Sequence, residues 1–247
     1  MANGPLLATL LGGVVVVLAS ALGGATGFGY ALLAAPLLLL LGFPLPFVVT
    51  ANLALALLTR VAVAYRFRPY LHRRRAALLI LGSVPGLYAG TRVLTGVAPA
   101  TIRRVAGVAI VLVALLLLRS LKAPPPPPLP GAPLAAGFLG GFLGATISLN
   151  GVPAVLLLAR DRASPYSVQA DLALYFVVSN AIGLGLLALR HALVAPALYP
   201  AALLWLPGAL LGNYAGVALG ARLPQRAFRY LALAIACAAG VVTALTA

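Results

Sequence analysis

The sequence predicts an all-α polytopic membrane protein made of two inverted repeats of about five helical elements each, with a broken or re-entrant Gly-rich segment in each repeat. Three observations lead there. The 247 residues are 63% hydrophobic and only 8% charged, with a mean hydropathy of +1.12, whereas a soluble domain is about a quarter charged. The apolar segments run to about 20 residues, the length that crosses a ~30 Å hydrocarbon layer. Short motifs of the first half return, in the same order, in the second.

The elements follow in order. LLATLLGGVVVVLASAL anchors a helix at about 5–26, which stops in the glycine-rich GGATGFGY (23–30). ALLAAPLLLLLGF supports a short second element at 28–41. The third, 46–66, runs into the basic loop RFRPYLHRRR (66–75), after which apolar residues resume for a fourth at 76–93. A fifth, 101–119, contains the uninterrupted run AIVLVALLLL; a β-barrel would alternate instead. KAPPPPPLPGAP (122–133) favours solvated polyproline II geometry and reads as a linker. Beyond it come elements at 132–148, 151–160, 167–189, 197–219 and 226–245, of which 151–160 is too short to span alone. The domains are therefore 1–121, a first membrane repeat; 122–133, a Pro-rich linker; and 134–247, a second repeat.

The repeat rests on four matches. Gly24-Ala25-Thr26 returns as Gly144-Ala145-Thr146, and Ala51-Asn52-Leu53-Ala54-Leu55 as Ala170-Asp171-Leu172-Ala173-Leu174. Tyr88-Ala89-Gly90 returns as Tyr214-Ala215-Gly216, and Pro99…Ile102-Arg103 as Pro224…Phe228-Arg229. Common order and nearly constant spacing mark a duplicated unit.

Seventeen Lys and Arg against two acids give a net charge of +15. These cations lie in short loops between apolar spans, so the positive-inside rule accounts for them and nucleic-acid binding is excluded. With the loop 66–75 cytoplasmic, thirteen basic residues fall on that side, and only Arg92, Arg103, Arg104 and Arg190 on the other. An odd number of elements per repeat then makes the repeats inverted, the linker cytoplasmic and the termini external. MANGPLLATL lacks the positive region of a signal peptide, so the first apolar segment reads as retained. Cys237, a single cysteine, excludes an intramolecular disulfide and a cysteine metal cluster.

No Ser/His/Asp set, phosphate-binding loop or metal-ligand cluster is present, so neither an enzyme nor an ATP-driven pump is expected, and no cofactor. GATGFG lacks the strand and βαβ unit of a dinucleotide site, and its second copy TISLN rules out a ring of potassium-filter loops. Instead, each repeat carries a Gly/Thr break followed by Pro36 or Pro153 and an aliphatic run. A helix N-terminus after such a break offers N–H donors and about half a positive charge, an anion site without a formal cation. Irregular backbone at membrane depth is tolerated where it lines a cavity, and two such breaks in matching places point to a transport site. The candidate substrate-binding residues are Gly24, Ala25, Thr26, Gly27, Gly29, Asn52, Thr146, Ser148, Asn150 and Gly151.

Asp171, about four residues into an apolar helix, is the candidate for coupling to protons; its alternative is a partner for Arg160 or Arg162 near the interface. Arg60 reads as a snorkelling residue, with approach to the cavity from the cytoplasmic end of its helix as the alternative, and Thr59, Ser179 and Asn180 as lining residues or interhelical hydrogen bonders.

These motifs resemble the TauE/SafE family of sulfite exporters, the TSUP permeases. GGATGFGYALLAAPLLLLLGFP (23–44) is similar to that family's first Gly-rich segment, and GFLGGFLGATISLNGVPAVLLLARDRASPYSVQADLALYFVVSN (137–180) to its second; TISLNG stands where a denser glycine cluster is common. The resemblance implies outward secondary transport of small sulfur-containing anions, such as sulfite, thiosulfate or organosulfonates; the Arg-dominated, Ala/Gly/Pro-rich residue usage points to a prokaryote, and so to its plasma membrane. The alternatives are an anion or ion channel and a non-transporting membrane scaffold subunit. Partners are then the anion, protons as coupling ion and the lipid bilayer; monomer and homodimer both stay open.

Overall fold

A computed structural model describes residues 3–120, 131–161, 163–193, 199–220 and 225–246, and among these residues every regular element is helical. Ten α-helices follow one another: α1 (Asn3–Thr26), α2 (Tyr30–Leu40), α3 (Leu45–Phe67), α4 (Arg73–Gly96), α5 (Pro99–Ser120), α6 (Ala132–Ile147), α7 (Gly151–Arg160), α8 (Pro165–Leu189), α9 (Tyr199–Leu219) and α10 (Gln225–Leu245). A 3₁₀ turn, Arg68–Tyr70, closes α3. All ten expected elements are present, with ends shifted by a few residues, while most of the Pro-rich linker and the expected start of the ninth element lie outside the described residues.

Among the described residues five stretches are long and apolar enough to cross a membrane: Leu6–Thr26, Leu45–Tyr70, Arg73–Gly96, Pro165–Leu189 and Pro200–Leu219. By contrast, α2 has 11 residues and α7 has 10. At 1.5 Å per residue each is about 15–17 Å long, half of a bilayer core. They are half-length helices, each following a break in the chain.

Several helix ends have local causes. Ser164 accepts from the Ser167 amide ahead of α8, with Pro165 in the first turn, where its missing N–H costs nothing. The ring nitrogen Nδ1 of His72 accepts from the Arg75 amide ahead of α4. That cap lets the helix begin at three consecutive arginines, earlier than the apolar pattern alone predicts.

Packing crosses between the two halves. α4 lies along α6, α1 along α9, α3 against α8 and α5 against α10. Glycines permit the first two approaches. A Cβ on Gly82 or Gly86 of α4 would strike the Leu134 or Phe138 carbonyl of α6, and one on Gly137 or Gly141 would strike the Leu79 or Ser83 carbonyl of α4. The second seam repeats the device: Gly24 abuts the Asn213 carbonyl, and Gly212 and Gly216 abut the Val17 and Ala21 carbonyls. Small residues are how helices approach when lipid removes the hydrophobic drive between them. Near the start of α1, Trp205 meets Phe43 and Phe47 edge-on at 5.3 and 5.8 Å, and its indole N–H donates to the Thr9 carbonyl at 2.9 Å.

Candidate functional site

The two breaks converge on the α3–α8 contact. In the first, α1 stops at Thr26, whose hydroxyl donates to the Leu22 carbonyl (2.8 Å) and accepts from the amides of Gly29 (3.0 Å) and Phe28 (3.4 Å). The Gly27 amide donates to the Gly23 carbonyl at 2.8 Å, with Gly27 in the left-handed region at φ 88°. In the second, α6 ends in a left-handed cap, the Ser148 amide donating to the Gly144 carbonyl (3.0 Å), and the Leu149 amide donates to the Leu143 carbonyl (3.1 Å). Ser148 itself adopts φ 66°, a position glycine usually fills.

Between the breaks is a small cavity of about 20 Å³, room for about one water molecule. Its polar lining is Tyr30, Asn52, Arg60, Ser148, Asn150 and Asn180, and Phe28, Ala31, Leu53, Ala56 and Phe176 form the apolar wall. Asn52 Oδ1 accepts from the Tyr30 hydroxyl at 3.0 Å, and Asn180 Oδ1 accepts from Asn150 Nδ2 at 2.6 Å. Both amide oxygens are thus occupied, and both Nδ2 groups are left as donors. Among the described residues five buried side-chain polar atoms lack a partner, and three of them, Asn52 Nδ2, Asn180 Nδ2 and Ser148 Oγ, belong to this lining. An unmet buried donor costs about 1–3 kcal/mol, so three around one space mark a place for an acceptor-rich ligand.

Arg60 brings the charge. It is 3% exposed. Its Nη2 donates to the Gly23 carbonyl at 2.6 Å, and Nη1 reaches Gln169 Oε1 at 3.5 Å, while Gln169 Nε2 donates to the Gly24 carbonyl at 2.9 Å. The guanidinium also stands 5.9 Å from the centre of the Phe176 ring. It faces no carboxylate: the chain has only two acids, and both are engaged by Arg75. Asp171 Oδ2 accepts from Arg75 Nε at 2.7 Å and pairs with Nη2 at 2.6 Å, and Asp161 lies 3.5 Å from Nη1. Asp171 Oδ1 accepts from the His72 amide at 2.8 Å. A buried cation without a counter-ion is costly, and here carbonyls at the negative end of α1 offset part of that cost.

The expected site residues divide accordingly. Asn52, Ser148 and Asn150 line the cavity. Gly24 sits in the α1–α9 seam, Thr26 and Gly27 hold the first break together, and Gly29 packs on Leu22. Ala25 precedes the break and lies beside Gly220. Thr146 donates back to the Phe142 carbonyl at 2.8 Å. Gly151 opens α7 beside Phe28 and Phe176. Asp171 lies outside the cavity, and its partner is Arg75, in place of the expected Arg160 or Arg162, whose side chains are outside the described residues. Sequence reasoning ranked Arg60 first as a snorkelling residue, with the cavity second, and missed Tyr30, Phe28, Phe176 and Gln169. A signal for Arg60 existed: it precedes the end of α3 at Phe67 by about two helical turns, deep for a snorkelling side chain.

Fold and site together define a multi-pass helical membrane protein enclosing a cavity whose charge is positive. Residues 12–243 match the family model of sulfite exporter TauE/SafE, and the chain belongs to that family. The family is one of membrane transporters, with sulfite and related anions as the substrates its description indicates. No curated protein and no solved structure matches the chain.

Proposed function

We propose that the protein is a secondary exporter of small sulfur-containing anions such as sulfite, thiosulfate or organosulfonates, and that the cavity between the two breaks is its substrate site. The observation that carries this reading is Arg60, buried without a carboxylate and sharing its cavity with three unpartnered polar groups. The anion sits against the guanidinium and the amides of Asn52 and Asn180, with the Ser148 hydroxyl completing the donor set.

Transport proceeds by alternating access between two inverted repeats, with the loop 66–75 cytoplasmic. The crossed helix pairing supports the repeat: exchanging the halves turns the α1–α9 contact into the α6–α4 contact and maps α3–α8 onto itself. Opening toward the cytoplasm requires Asp171 to release Arg75. Protonation of Asp171 removes the negative charge that holds this pair, which gives it a coupling role.

The test is anion uptake by the purified chain in liposomes. Saturable sulfite or sulfonate flux, lost in Arg60→Gln, is the expected result. Conductance at channel rates, or no anion movement at all, would overturn it. A flux indifferent to pH in both the native protein and Asp171→Asn would remove the coupling role alone.

A further inference from the structure

We infer that the cavity narrows that substrate class by charge, accepting singly charged oxyanions and excluding doubly charged ones, thiosulfate among them; this rests on the transport reading above. Among the described lining residues Arg60 is the single charged group. Its charge is already drawn upon by the Gly23 carbonyl at 2.6 Å and by the negative end of α1. The unpartnered polar groups on the lining, Asn52 Nδ2, Asn180 Nδ2 and Ser148 Oγ, are all neutral. Arg75 offers no second cation, being committed to Asp171 and Asp161. The remaining wall, with Phe28, Ala31, Leu53, Ala56 and Phe176, replaces water with hydrocarbon.

A monoanion entering this space meets one cation and a set of amide and hydroxyl donors, and the site closes near neutrality. A dianion carries one charge in excess, buried without a counter-ion, which is the arrangement proteins avoid most strongly. For sulfite, whose second proton dissociates near neutral pH, the species taken is therefore hydrogensulfite. A small alkanesulfonate carries the same single charge and falls under the same rule.

Competition and uptake in proteoliposomes of the full chain test this at fixed pH, with methanesulfonate as the monoanion and sulfate and thiosulfate as dianions. Methanesulfonate should be taken up and should compete with labelled sulfite, with the dianions at least about tenfold weaker. A second arm varies pH across sulfite's second ionisation. Sulfite uptake should fall in step with its singly protonated form, while methanesulfonate, charged once throughout, stays level. The methanesulfonate arm also reports any titration of the groups around the cavity, namely Arg60 and Tyr30 on its lining, Tyr175 on the Asn150 carbonyl and the Asp171–Arg75 pair beyond it. Sulfate or thiosulfate moving as well as methanesulfonate would overturn the charge rule and leave transport standing. Movement of neither class would overturn the transport reading and the rule with it.

Discussion

Arg75, at the start of α4, and Asp171, in the second turn of α8, are joined at two points of 2.6 and 2.7 Å, and the carboxylate is wholly buried. The pair ties the first half of the chain to the second. Arg75 also donates to Ser167 at 2.9 Å, so one guanidinium gathers three side chains of the second half, Asp161 included.

Removing the cation should therefore cost more than neutralising the anion. Arg75→Met leaves Asp171 buried and unpaired, a loss of about 3–5 kcal/mol. Asp171→Asn keeps an acceptor for the His72 amide and should lose less. Thermal unfolding in detergent ranks the two variants and the double variant Arg75→Met/Asp171→Leu, which should recover part of the loss. Equal destabilisation by the two single changes would contradict the argument.

For Arg60 the expected loss is in binding. A hydrogen bond to a charged group contributes about 1.5–3 kcal/mol, so Arg60→Gln should weaken anion binding roughly tenfold to a hundredfold. Arg60→Lys keeps the charge but cannot reach two partners with one planar fork, and should fall between. Calorimetric titration of each detergent-purified variant with sulfite checks this, with gel filtration confirming the folded state. Native affinity in Arg60→Gln would place the anion elsewhere.

Ser148 offers a change with opposite effects on stability and affinity. Glycine at φ 66° relieves a backbone penalty of about 1 kcal/mol, so Ser148→Gly should melt higher. It also removes a cavity donor, so it should bind sulfite more weakly. A melting temperature and an affinity that move together would refute one of the two roles.

The glycine seams are the most sensitive packing positions. Leucine at Gly86 drives its side chain into the Phe138 carbonyl, and overpacking of this kind costs about 1–3 kcal/mol or more. Gly185 of α8 has open space around it, and Gly185→Leu should leave the melting temperature unchanged. A similar fall for both would deny the seam its special tightness.

The all-helical, membrane-spanning class was legible because a bilayer constrains composition, helix length and loop charge all at once. The two breaks were legible because glycine, threonine and proline interrupt otherwise uniform hydrocarbon. The centre of the cavity was not. Arg60 shares the composition of an interfacial arginine, and only the approach of Gly23 and Gln169, from α1 and α8, shows what it bonds. Arg75 is one of five arginines in ten residues. Helix phase turns it toward α8 and leaves Arg73 and Arg74 exposed, and that phase depends on where α4 begins. The same threonine and glycine pattern that announced the first break proved to bond largely to itself, through the Thr26 hydroxyl.

The two glycine seams also impose an order of assembly. α6 finds α4 as soon as it is synthesised, because only α5 and the linker separate them. α1 is the first helix made, yet the helix that covers its Gly24 face is α9, nearly at the other end of the chain. During biosynthesis that groove must wait against lipid while seven helices are made. A ribosome stalled before α9 would hold a nascent chain with half its architecture settled and its first helix still unclaimed.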